Sequence, residues 1–155
     1  MGLARDAVLR CRLGGWLHDV GKVAVPDRIL HKPGALDDAE WTVMRTHPAV
    51  GEEIVGKVGA LCQATPAVRH HHERLDGTGY PDGLAGAEIP IEARIVAAAD
   101  AYAAMTAVRV YSPARTPEQA AAELRRSAGT HLDTAVVAAL LDVLGVAAPP
   151  VLRVA

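Results

Sequence analysis

Residues 71–84 read HHERLDGTGYPDGL, and no other stretch limits the fold of this chain as strongly. Two adjacent imidazoles and a carboxylate lead into a loop where Gly77, Gly79 and Gly83 supply backbone freedom and Pro81 stiffens it. Upstream lie two further landmarks, the pair His18-Asp19 and the single His47. Such a set of imidazoles and carboxylates describes a metal site, and the glycine loop describes a substrate rim beside it. A hydrolase is therefore the first reading. The fold must carry histidines spread over more than fifty positions to a common point.

Composition narrows how that convergence is built. A chain of 155 residues with 50% hydrophobic content fills one core and not two, so residues 1–155 are expected to form a single domain. Aromatics are 3% with no Phe, and the apolar stock is mostly Ala, Val and Leu, which suits closely packed helices better than a β-sandwich. The net charge of -2 argues against binding a long nucleic acid polymer, although a small anionic ligand stays open. No apolar run is long enough to span a bilayer, and Arg10, Arg12 and Asp19 interrupt any signal-like stretch; a cytoplasmic location is expected. Cys11 and Cys62 form no CxxC pair and read as small buried apolar residues.

The pattern along the chain predicts helices throughout. Asp6 is placed to cap a first helix carrying Val8, Leu9, Leu13, Trp16 and Leu17 on one stripe and stopping near Gly21, with His18 and Asp19 on its last turn. Residues 23–34 contain two prolines and read as loop with one short helical turn. Asp37 and Glu40 resemble a capping box that starts the next helix, and Pro48 suits the first turn of a new one, which puts His47 at a helix–helix junction. A helix over 66–73 delivers the histidines, 75–90 is loop, and a helix rich in Ala, Ile and Val covers 91 to 107. Thr116 and Gln119 form a second capping box, Gly129 a stop, and Asp133 opens a last helix with Val136, Val137, Leu140, Leu141 and Leu144 at helical spacing.

Each histidine alone has a bland explanation as a hydrogen-bonded core residue. Taken together, His18, Asp19, His47, His71, His72 and Asp100 are six candidate ligands at helix ends or on helices able to converge. Asp100 interrupts the run IVAAADAYAAM, where a carboxylate is costly unless a cation or donor meets it. Mixed imidazole and carboxylate donors suit Fe, Mn or Zn, whereas Mg or Ca prefers oxygen alone.

The segments LHDVGKVAVPDRILHKPGAL, MRTHPAVG, HHERLDGTGYPDGLAG and IPIEARIVAAADAY together resemble the HD-GYP family, a branch of the HD phosphohydrolases. The resemblance implies an all-α, HD-domain-like helical bundle with a long Gly-rich loop and two divalent metal ions, Fe or Mn. It also implies a phosphodiesterase that hydrolyses cyclic di-GMP to pGpG, and in many members on to GMP, through a metal-bridging hydroxide. By position, Asp19 would bridge the metals, His47, His71 and His72 would complete one site, and His18 and Asp100 would serve the other. Lys22 would neutralise phosphate charge, and Arg109 would hold a phosphate oxygen, the alternative for both being a solvated surface cation. Gly79, Tyr80 and Pro81 would stack or gate a guanine base or dock a GGDEF-domain protein, unless they only fix a turn. Glu73 either orients a liganding histidine or faces solvent. His31, His70 and His131 lie outside the pattern. An upstream receiver or sensor domain is the implied partner in cis.

Two departures qualify the resemblance. After Asp100 the family reads something like DVYDAMTSDRPY, whereas here Ala103 and Val108 replace acids and Val110 replaces a proline. The family also has about two more helices before the His-Asp pair, and here one precedes His18. The expectation is a fragment, a late start or a gap filled by a partner. A third metal is not expected, and bared apolar surface predicts self-association. Two other readings stay open: a catalytically impaired module that binds ligands or partner proteins, and an HD phosphohydrolase for another nucleotide.

Overall fold

The computed structural model describes residues 1–107 and 114–146. They form the expected all-α bundle: α1 (Arg5–Leu17), α2 (Asp27–Leu30), α3 (Asp38–Met44), α4 (His47–Gly56), α5 (Thr65–His70), α6 (Ile91–Thr106), α7 (Pro117–Ser127) and α8 (Thr134–Val143). Among the described residues extended pairing is limited to two isolated bridges, and no helix is long and apolar enough to cross a membrane. Arg109, with Val108, Val110 and Tyr111, lies outside the described residues.

Helix α6 is the spine, touching α1, α5, α7 and α8. On one side Leu13 and Leu17 of α1 pack with Val55, Ala64 and Val68. On the other, Ala101, Tyr102 and Met105 of α6 meet Ala121, Leu124, Val137 and Leu141. Ion pairs pin the spine at both flanks, Arg10 to Glu92 at 2.6 Å and Arg94 to Asp133 at 2.8 Å. Helices α1 and α5 approach closely because Gly14 faces Ala67: a Cβ at Gly14 would sit 2.4 Å from the Ala67 Cβ.

Local signals placed most helix starts correctly. Asp37 and Glu40 close a full capping box on α3, Thr116 and Gln119 do the same on α7, and the Asp133 carboxylate accepts from the Ala135 and Val136 amides at the start of α8. Each satisfies amides that a helix start leaves without intrahelical partners. The first helix differs from expectation. Ala4 holds its cap position with no side-chain bond, Asp6 lies inside the first turn, and the helix ends at Leu17, followed by a separate 3-10 turn over Val20–Ala24. The single apolar stripe also splits. Val8, Leu9 and Trp16 are exposed, Trp16 at 72%, because α1 turns Ala7, Leu13, Gly14 and Leu17 inward. Cys62 is exposed rather than buried, its Sγ directed at the Gly59 carbonyl, while Cys11 is half-buried; both are free thiols.

Candidate metal centre

Three imidazoles are aimed by one local device. His18 is the C-cap of α1, His47 follows the end of α3, and His71 is the C-cap of α5. In each the Nδ1 lies 2.8 Å from the carbonyl oxygen three residues earlier, Gly15, Met44 and Val68 respectively. The last carbonyls of a helix lack amide partners, so a histidine there donates Nδ1–H to one of them and presents Nε2 outward. For the neutral rings of His47 and His71 the same rule fixes the tautomer, because a donating Nδ1 leaves Nε2 as the lone pair that a metal takes.

These helix ends meet. Asp19, His47, His71 and His72 each offer a ligand atom, and those atoms lie within 4.8 Å of one another. The His47 and His71 Nε2 atoms face each other at 3.4 Å, and Asp19 Oδ1 lies 3.4 Å from His47 Nε2. His18 Nε2 stands between Asp19 Oδ2 at 3.4 Å and Asp100 Oδ1 at 3.7 Å. The structure thus gathers all six candidate residues around one centre, with His18 and Asp100 on one flank of the other four. Lys22 is also there, its Nζ 2.6 Å from Asp19 Oδ2.

A divalent cation fits this donor set on two observations. Two lone-pair nitrogens facing at 3.4 Å repel unless a cation lies between them, and Asp19 Oδ1 is buried with no hydrogen-bond partner. Electrostatics agree. Burial holds His71 down to about 3 and His72 down to about 4, and burial also lowers His47, so these imidazoles are neutral donors near pH 7. His18 goes the other way, pushed up to about 10 by Asp100 and Asp19. Burial opposes ionisation of Asp19, but His18 and Lys22 outweigh it and hold the carboxyl below its usual range. His18 and Lys22 therefore supply the positive charge beside Asp19.

This balance sets an acid limit on stability. His71 and His72 have folded pKa values below the unfolded value near 6.5, so as pH falls below 6.5 the unfolded chain takes up protons that the fold refuses. His18, with a raised value, has its stabilising contribution in full below 6.5 and offsets only a small part. The metal-free protein is expected to lose roughly 2–3 kcal/mol between pH 7 and pH 5. Urea denaturation at the two values measures it, and equal midpoints would contradict the neutral imidazoles.

The glycine loop is held over the centre by residues the sequence had marked for other roles, Tyr80 and Glu73, and by Arg45, Arg69 and Asp82, which it had not marked. The Tyr80 ring stacks on His72, centroids 4.8 Å apart at 27°, and Arg45 lies over Tyr80 at 5.6 Å. Gly79 is required by close approach, since a Cβ there would come within 2.5 Å of the Arg74 amide nitrogen. Glu73 neither orients a liganding histidine nor faces solvent. Its buried carboxylate accepts the amides of Asp82 at 2.7 Å and Leu84 at 3.1 Å, across the loop. His70 is 3.3 Å from Asp82, and Arg69 binds the same carboxylate twice at 2.7 Å while reaching Glu52 at 2.6 Å. These contacts were invisible because the partners lie nine to seventeen positions apart with no fixed spacing rule. His31 is exposed near Asp27, and His131 pairs with Asp76 at 3.6 Å.

A family model described as HD domain matches residues 1–136. The chain belongs to the HD-domain family. Its HD-GYP character agrees with the curated relatives. It is 45% identical over 148 residues to the cyclic di-GMP phosphodiesterase response regulator RpfG of Xanthomonas campestris, an alignment covering 91% of this chain and 38% of that protein. It is 46% identical over 134 residues to a cyclic di-GMP phosphodiesterase of Vibrio cholerae, covering 82% and 27%. It is 43% identical over 143 residues to the 3'3'-cGAMP-specific phosphodiesterase 2 of the same species, covering 91% and 27%. This HD domain therefore spans well under half the length of these relatives.

Proposed function

We propose that this chain is a metal-dependent phosphodiesterase domain for cyclic dinucleotides, cyclic di-GMP first, and that residues 1–155 act as one HD-GYP domain. The observation that carries the reading is the pair of facing imidazole nitrogens beside the unpartnered Asp19 oxygen, a donor set in want of a cation. Asp19, His47, His71 and His72 would hold one divalent ion, and His18, Asp19 and Asp100 a second, Fe or Mn. When bound, such ions polarise a phosphate and make water nucleophilic near neutral pH, the chemistry a diester hydrolase without a side-chain nucleophile requires.

The chain's own residues do the rest. Burial keeps His71 and His72 neutral, so their lone pairs are available without first losing a proton. Lys22 forms an ion pair with Asp19; as a point charge next to the centre it would turn to a phosphate oxygen once substrate arrives. Gly79, Tyr80 and Pro81 would form the substrate rim, with Glu73 and Asp82 holding Tyr80 against His72. Arg109 would hold a phosphate oxygen. The added length of the relatives suits an upstream receiver or sensor domain, with GGDEF-domain proteins as candidate partners of the loop.

The test is anaerobic purification of the chain with Mn, a count of bound metal, and chromatography of products from cyclic di-GMP. The expected result is about two metals per chain and pGpG. Metal without product would favour an impaired binding module, and turnover of a different nucleotide alone would move the substrate assignment.

A further inference from the structure

Behind the histidines lies a cavity of about 210 Å³. It is lined by His72 and Asp100 of the centre, by Arg74, by Ala97 and Ala101 of α6, and by Ser127, His131 and Leu132 from the end of α7 and the turn after it. It is smaller than the roughly 300–1,000 Å³ that a whole drug-sized ligand takes, so it suits one flat heterocycle and not an entire dinucleotide.

Its two sides are tied together by the backbone. The amides of Leu75 and Asp76 donate to the carbonyls of His131 and Thr130 at 3.3 and 2.9 Å, and Asp76 meets the His131 ring at 3.6 Å. The strip carrying Arg74 is thereby fixed against the turn between α7 and α8. Arg74 makes no ion pair among the described residues, although its neighbours Arg69, His70 and His131 all face carboxylates. The Ser127 carbonyl accepts three amides of the turn, while its hydroxyl, like the Arg74 guanidinium, has no hydrogen bond among the described residues.

We infer that this cavity is a base pocket that takes a guanine, with Arg74 reading its O6 and N7 edge. The alanines and Leu132 offer apolar contact for a purine face. A guanidinium suits the paired acceptors O6 and N7 of guanine, whereas adenine puts an amino donor at the corresponding place and repels it. The shared lining residues His72 and Asp100 place a base in this pocket with its phosphate directed toward the centre. The inference deepens the proposed function and rests on it for the phosphate, but not for the base.

Calorimetry with GMP and AMP separates the two. Both carry the same phosphate, so their difference in affinity for the Mn-loaded chain reports the base alone. The chain is expected to bind GMP about tenfold or more tightly than AMP, and Arg74→Ala to bring the two within about twofold, with bound metal unchanged. Equal affinity for the two nucleotides, or a preference that survives in Arg74→Ala, would overturn the pocket. Absence of cyclic dinucleotide hydrolysis alongside a GMP preference lost in Arg74→Ala would instead overturn only the catalytic reading.

Discussion

Asp19→Asn is expected to deplete the centre of metal and to reduce hydrolysis of cyclic di-GMP by roughly a thousandfold, well beyond the about 10–100-fold that loss of an outer-shell partner costs. The substitution preserves shape and removes one charge. Asp19 is the single acid in contact with both halves of the cluster: one oxygen lies 3.4 Å from His47, the other 3.4 Å from His18 and 2.6 Å from Lys22. With asparagine there, His18 and Lys22 keep their positive charge and lose their nearest anion, so the site becomes hostile to a divalent ion on two counts. Elemental analysis after anaerobic Mn loading reads the first effect and product chromatography the second. A variant that retained the parent's metal stoichiometry would show that the carboxylate is not a ligand.

Gly21→Ala is expected to give the largest loss of stability of any single methyl added to this chain, at least about 3 kcal/mol. A Cβ there would lie 1.9 Å from the His47 carbonyl oxygen and 2.5 Å from the Gly51 amide nitrogen. Both are backbone atoms, so no side chain can rotate away, and the 3-10 turn must lift off α4. For a chain of this size that corresponds to a fall in melting temperature of roughly 6–12 °C. His47 moves with its carbonyl, so weaker Mn binding should accompany the loss. Gly15 is the internal control. It lies in α1 with open space around it, so Gly15→Ala is expected to stabilise by about 0.5–1 kcal/mol. Thermal melts of both variants decide the matter; a Gly21→Ala protein that melts with the parent would mean the close crossing is absent in solution.

What the sequence disclosed follows from how local each interaction is. Asp37 with Glu40, Thr116 with Gln119, and Asp133 act on amides two or three residues away, and their helices begin where expected. Pro48 marked the α3–α4 junction for the same reason. The candidate ligands were legible because imidazoles and acids at helix ends form a pattern independent of loop path. Asp6 misled because an acid in a first turn and an acid at a cap read alike in sequence, and here Asp6 lies two residues past the cap, Ala4. Trp16 and Leu9 misled because the stripe was wider than the face that α5 and α6 can cover. Glu73 was missed for a deeper reason: its partners are backbone amides of Asp82 and Leu84, and an amide carries no residue identity to read.

The three consecutive histidines at the end of α5 illustrate what phase controls. His70 reaches outward to Asp82, while His71 and His72 turn inward to face His47. Nothing in their chemistry separates them; only their rotation about the helix axis assigns the tasks. A residue inserted within α5 would preserve the triplet letter for letter, yet swing each ring by about 100° and dismantle the cluster. Alignments that slide within this triplet would look flawless and misname every member.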